Sequence, residues 1–169
     1  KALVLGLNKS KLPYAVTGAL AASYYGTPRT TTDVDFILQL SSKDYDGLLE
    51  ILEGLGLKVD RTRIKRQLRA GYNVLTLQDK NSPHQADFII HTKGKLGKRA
   101  GSLLGLRTYY QTPESLILAK LRMVKATRPR EKSLKDREDI KAIAHNTRVN
   151  LASIVRTARE ETTLDVWEA

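Results

Sequence analysis

The run Asp33-Val34-Asp35-Phe36-Ile37-Leu38-Gln39-Leu40 constrains this chain more than any other stretch. Its apolar, β-prone residues read as a strand of a buried sheet. Two carboxylates open that strand. Residues two apart in a strand share a face, roughly 6.5–7 Å apart along the chain. Such a pair repels itself unless a cation stands between, and carboxylate oxygens suit Mg²⁺ or Mn²⁺. The plainer reading puts both aspartates at a loop edge, capping backbone groups of Thr30 to Thr32.

Around this run the sequence predicts a small mixed sheet with flanking helices, an α/β (α+β) class, followed by a C-terminal helical segment. Leu12 to Thr17 reads as a strand, and Gly18 opens an alanine-rich helix that stops at Gly26. Ser41 or Ser42 is the expected cap of a helix from Lys43 to Gly54. Leu57 to Asp60 reads as a short strand, and the basic stretch Arg61 to Arg69 as a helix or an exposed connection. Tyr72 to Gln78 and Gln85 to Thr92 read as strands joined by the turn-rich residues 79–83, an antiparallel hairpin.

Gly94 to Gly105 reads as a basic loop, and Leu106 to Tyr110 as the last strand. Thr112-Pro113-Glu114 is a helix start. Ser133 to Ala144 and Asn150 to Glu160 read as two further helices. The division expected is 1–111 for the sheet and 112–169 for the helices, with Pro129 a further candidate boundary.

Two more features bear on chemistry. Alternation in the second hairpin strand sets Asp87, Ile89 and His91 on one face and Ala86, Phe88 and Ile90 on the other. Asp87 thus repeats the pattern of an acidic start to an apolar strand. Three carboxylates at neighbouring strand ends can hold two metals for in-line phosphoryl displacement. The second feature is the strand–Gly18–helix turn. Amides at a helix N-terminus face an anion, and glycine lets a phosphate approach the backbone. The interval to Asp33 holds one helix and one loop, so the helix start is expected to return beside Asp33. Without the aspartates, Gly18 reads simply as a tight turn.

Composition narrows the classes. The 169 residues include no cysteine, which excludes disulfides and thiolate metal sites. His84, His91 and His145 are too scattered for a zinc cluster. No apolar run approaches the ~18 residues of a membrane helix, and no stretch reads as a secretory leader. The expectation is a cytoplasmic protein without a membrane partner; a chain opening at Lys1 leaves room for residues before it. The net charge of +11 is uneven: residues 1–60 carry 6 Lys/Arg against 7 Asp/Glu, and the remainder 23 against 11. A basic surface points to phosphate-bearing partners, or to a merely lysine-rich solvated face. Arg61 to Arg69 and Lys93 to Arg107 are candidates for an RNA backbone track. Tyr109 and Tyr110 can stack a base, with core packing the alternative.

The segment Tyr14-Ala15-Val16-Thr17-Gly18-Ala19, continued by Gly26, Arg29, Thr31, Asp33 and Asp35, resembles the signature of the DNA polymerase β-type nucleotidyltransferase superfamily. It is most similar to small stand-alone prokaryotic nucleotidyltransferases, including toxins of toxin–antitoxin pairs. Leu116 to Lys120 resembles their Leu-x-x-x-Lys helix, and Lys135 to Asp139 their Lys-Asp-x-x-Asp helix. The likeness spans Tyr14 to about Ile143. It departs at Ala19, where the signature has Gly or Ser, and at Arg130, one position further from the Lys-Asp-x-x-Asp helix than in the family.

The resemblance implies a nucleotidyltransferase fold and transfer of an NMP from an NTP to a hydroxyl of RNA, tRNA included, or of protein, with a possible antitoxin partner. It implies Asp33, Asp35 and Asp87 as metal and catalytic residues, with Mg²⁺ or Mn²⁺ as cofactor and Asp87 accepting the acceptor's proton. Gly18 and Ala19 amides would hold the β/γ-phosphates and Arg29 would clamp phosphate. Lys120 would neutralise developing charge, or else snorkel at the helix margin. Asp136 and Asp139, three apart on one helix face, would pair with Lys120 or hydrogen-bond the nucleotide. A non-catalytic nucleotide- or RNA-binding module of the same fold is the alternative. A metal-dependent phosphatase or nuclease ranks lower, because Ile37 stands where the haloacid phosphatase pattern has Thr or Val.

Overall fold

The structure is a computed structural model that describes residues 1–40 and 45–168. The chain divides into two compact units, one of residues 1–17 and 31–111, the other of residues 18–30 and 112–169. The helix after Gly18 therefore groups with the C-terminal helices.

The first unit is a six-stranded mixed sheet with helices. Its strands are β1 (Tyr14–Val16), β2 (Asp35–Gln39), β3 (Val74–Gln78), β4 (Gln85–His91), β5 (Lys98–Leu103) and β6 (Leu106–Gln111), in spatial order β3-β4-β2-β1-β6-β5. β2 runs parallel to β4, and β1 parallel to β6; the remaining neighbours are antiparallel. The central strands β1 and β2 are short apolar runs, as a strand covered on both faces requires.

On one face Phe36 and Phe88, register partners, stack with ring centroids 5.7 Å apart, and Tyr14 meets Phe36 edge-on at 6.2 Å. On the other face Ala15, Ile37 and Leu96 form a smaller cluster against Ile89. The unit's helices are α1 (Ala2–Ser10), α3 (Tyr45–Gly54) and α4 (Arg61–Arg69). α4 begins where the Asp60 side chain accepts the Arg63 N–H at 2.9 Å, and it buries Ile64 and Leu68 one turn apart. Its basic side chains lie on the remaining arc.

The second unit is helical: α2 (Gly18–Tyr25), α5 (Pro113–Ala126), a 3-10 turn (Arg130–Ser133), α6 (Leu134–Asn146), α7 (Leu151–Glu160) and α8 (Leu164–Trp167). α5 starts on Pro113 as expected and buries Leu116, Ile117, Leu121 and Val124. α7 starts where the Asn150 side chain accepts the Ser153 N–H at 3.0 Å. Gly26 is more than a helix stop. A Cβ there would stand 3.0 Å from the Ala142 Cβ and 3.1 Å from the Ile143 nitrogen, so glycine permits close approach to α6.

Several expectations are corrected. Asp33 lies outside β2, which begins only at Asp35, so the two aspartates are not strand neighbours on one face. The supposed loop from Gly94 to Gly105 contains β5, a strand paired along its whole length with β6. Leu57 makes only an isolated bridge to Asp79. Pro129 is no boundary, because α5 and α6 on either side of it belong to the same unit and pack together. α1 and α8 were not foreseen. The expected Ser41 or Ser42 cap lies outside the described residues.

Candidate functional site

Within the sheet unit, Asp35 and Asp87 face each other across the parallel β2–β4 ladder. Register partners on adjacent strands are roughly 4.8 Å apart and point to the same side. Asp87 is the third residue of β4 rather than its first, yet it still meets the first residue of β2. The ladder extends one bond further, with the Asp87 N–H donating to the Val34 carbonyl at 3.0 Å. The Asp35 carbonyl accepts the Thr17 N–H at 2.9 Å, which fixes the backbone from the β1 side.

Asp33 joins by a different route. Its N–H donates to Thr31 Oγ1 at 3.2 Å, and the Thr32 hydroxyl donates to its carboxylate at 3.4 Å. The three carboxylates share one hollow of about 240 Å³ with Val34, Thr76, Gln85 and Ala86. Thr76 was missed from sequence. It is the register partner of Asp87 on β3, and its hydroxyl donates to Asp87 Oδ1 at 2.6 Å. The alternation of Leu75, Thr76 and Leu77 held the signal, but only the hairpin register points it at Asp87.

An all-carboxylate donor set is what a hard divalent cation takes. Among the described residues no three His, Cys, Asp or Glu side chains are gathered tightly enough to hold a metal ion as they stand. The residues therefore fit a cation by chemistry and by their common hollow, while the side chains are not drawn onto one point.

The helical unit carries its own polar cluster. Lys120, only 6 % exposed, interrupts the apolar face of α5. Its Nζ lies 2.8 Å from Asp136 Oδ1 and 2.7 Å from Asp139 Oδ2. Asp139, 7 % exposed, also accepts both Nε and Nη2 of Arg29, at 3.2 and 2.9 Å. Lys120 is thus a paired, buried cation and does not snorkel. Asp136 and Asp139 reach it together because they lie one turn apart on α6. Arg29 is held bidentately by a carboxylate.

Gly18 has φ of +61°, in the left-handed region that favours glycine, and opens α2. Gly18 and Ala19 provide two of the leading amides, which have no intrahelical acceptor. Tyr110 is 2 % exposed and belongs to the core. Tyr109 packs edge-on against Tyr14 and lies under the Lys98 ammonium, 4.0 Å from its ring centroid.

This topology is that of the nucleotidyltransferase fold, a mixed sheet with flanking helices. Among solved structures, the chain is similar to the antibiotic-resistance factor ANT(2'')-Ia. The crystal structure of that protein with adenylyl-2''-tobramycin matches with a TM-score of 0.65 at 12 % identity, over 99 % of this chain and 93 % of that one. Its solution structure matches with a TM-score of 0.64 at 12 % identity, over 99 % and 88 %. An antigenic nucleotidyltransferase-like protein from Paracoccidioides brasiliensis matches with a TM-score of 0.58 at 15 % identity, over 97 % and 90 %. No family model matches the chain, and no curated protein matches it by sequence. Among the described residues no helix is long and apolar enough to cross a membrane.

Proposed function

We propose that the chain is a divalent-cation-dependent nucleotidyltransferase. It moves an NMP from an NTP to an acceptor hydroxyl and releases pyrophosphate. The observation that carries this reading is the Asp35–Asp87 register pair, joined by Asp33 around one hollow. Two opposed carboxylates on one sheet face repel each other, an arrangement that favours binding a cation. The shared fold of the three structural relatives supports the reading.

In the reaction the acceptor oxygen attacks the α-phosphorus and the bond from that phosphorus to the bridging oxygen of the β-phosphate breaks. Mg²⁺ or Mn²⁺, when held by Asp33, Asp35 and Asp87, supplies Lewis-acid stabilisation of the phosphoryl oxygens. Asp87 takes the acceptor's proton, oriented by the Thr76 hydroxyl on its other oxygen. Gly18 and Ala19 amides receive the β- and γ-phosphates. Lys120 and Arg29 are engaged by Asp136 and Asp139, so each meets a phosphate oxygen only by exchanging a carboxylate for it. Asp136, the more exposed of the two acids, lets go and bonds the nucleotide.

The acceptor is a hydroxyl of RNA, tRNA included, with a protein hydroxyl as the next choice. One structural relative holds an adenylylated aminoglycoside. Aminoglycosides are polycations, and a chain of net charge +11 disfavours them while attracting a polyanion. The Leu-x-x-x-Lys and Lys-Asp-x-x-Asp segments support a toxin role with an antitoxin partner, and the cysteine-free composition supports a cytoplasmic setting.

The test supplies labelled NTPs, Mg²⁺ or Mn²⁺, and total RNA or protein. Label in either macromolecule, abolished by Asp35→Asn, supports the reading. Saturable nucleotide binding without transfer under any condition leaves the non-catalytic module of the same fold.

A further inference from the structure

We infer that a second cavity in the sheet unit, at the far end of β4 from the carboxylates, binds a phosphate-bearing segment of single-stranded RNA. The cavity has a volume of about 730 Å³ and, among the described residues, shares no lining residue with the hollow around Asp35 and Asp87. His91 lies four positions after Asp87 on β4, roughly 13 Å along the strand.

Its wall brings together the two basic stretches of the sequence. Arg69 comes from the end of α4 and Lys93 from the segment after β4; both are exposed. Arg63 and Arg66 continue the exposed positive face along α4. Among the described residues no acidic side chain lines the cavity. Asp46 lies near enough to feel Arg69, but its carboxylate is held by Lys65 at 2.5 Å. The described part of its lining is therefore electropositive, as a phosphodiester requires.

Inorganic phosphate would use the cations alone, yet the wall also offers Tyr45, Tyr72 and Asn73. Tyr72 is 69 % exposed, an unusual degree for an aromatic ring. A ring beside cations is the composition that stacks bases while tracking a backbone. His91 also lines the cavity, and its Nε2 is buried with no hydrogen-bond partner. A buried polar nitrogen left unpaired is a feature that a bound polar group relieves.

The inference deepens the transferase reading, since it names RNA as partner and rests on that reading for the use made of the strand. Binding itself is measured without NTP or divalent ion, so the two fail separately. The probe is a labelled oligouridylate of about 12 nucleotides, followed by fluorescence anisotropy over a range of salt. Arg69→Ala with Lys93→Ala is expected to weaken binding about tenfold or more and to lower the salt slope by about 1.4. Tyr72→Ala, at an exposed position that the fold does not need, is expected to weaken binding about fivefold or more at every salt concentration. Lys135→Ala with Lys141→Ala, which removes the same charge from α6, leaves it within about twofold.

Equal losses from the α6 double variant reduce the effect to net charge and overturn the inference. So does unchanged binding by Tyr72→Ala and the cavity double variant. Competition by inorganic phosphate as strong as by oligouridylate reassigns the cavity to free anions. Competition by polyglutamate as strong as by oligouridylate reassigns it to an acidic protein.

Discussion

Asp35 and Asp87 are register partners, so two carboxylates lie side by side on one face of the parallel β2–β4 pair. Like charges directly opposed across a ladder are destabilising, by about 0.2–1 kcal/mol. Asp35→Asn or Asp87→Asn is therefore expected to raise the unfolding midpoint slightly in chelator-treated protein while removing transfer. Mn²⁺ is expected to stabilise the wild type and neither variant. Loss of stability on substitution, with an Mn²⁺ response unchanged, counts against the carboxylates as a cation site.

Asp139 holds Lys120 and Arg29 at once while 7 % exposed. Asp139→Ala leaves a buried lysine short of a partner and is expected to cost about 3–5 kcal/mol in urea unfolding. Arg29→Ala removes a side chain one third exposed and is expected to cost about 1 kcal/mol or less. Equal effects from the two variants would show that burial of the Lys120–Asp139 pair is not what makes this cluster matter.

Gly26→Ala is expected to destabilise by about 1–3 kcal/mol through overpacking. The new methyl meets the Ala22 carbonyl oxygen at 3.0 Å as well as Ala142 and Ile143, and backbone yields little. The double variant Gly26→Ala with Ala142→Gly relieves one of these contacts and should recover part of the loss.

The pH profile has a cause at each end. The Lys65 hydrogen bond holds the Asp46 carboxyl below the usual range, and Arg61 does the same for Glu53. A depressed carboxyl contributes stability that is present above about pH 4–5 and lost as pH falls through the native value. Asp46→Asn should flatten the acid limb. Burial pushes the Tyr14 hydroxyl up, partly opposed by the Thr108 hydrogen bond, with Tyr109 raising it further. That contribution is full below about pH 10 and lost above it. Tyr14→Phe should flatten the alkaline limb of denaturant unfolding.

Much of this architecture was legible because local rules carried it. Pro113 marks a helix start, Gly18 takes a left-handed turn, and the strict alternation of residues 85–91 places Asp87 on its face without any tertiary information. Asp33 was misread because strand pairing, not β-propensity, decides where β2 begins, and its pairing starts only at Asp35. β5 was misread for the converse reason. Lys98, Arg99, Gly101 and Ser102 have loop composition, and the ladder to β6 makes the strand. Thr76 and the Arg29–Asp139 pair, 110 positions apart in sequence, depend on register and packing that no local pattern encodes.

The central claim is tested most directly by following the two ends of the triphosphate. NTP labelled at the α-phosphate, and separately at the γ-phosphate, is incubated with the protein, Mn²⁺ and total RNA. The account predicts that α-label enters the acceptor, γ-label leaves as pyrophosphate, and Asp35→Asn does neither. Folded wild-type protein that transfers no α-label to RNA or protein from any common NTP, or that transfers γ-label instead, contradicts it.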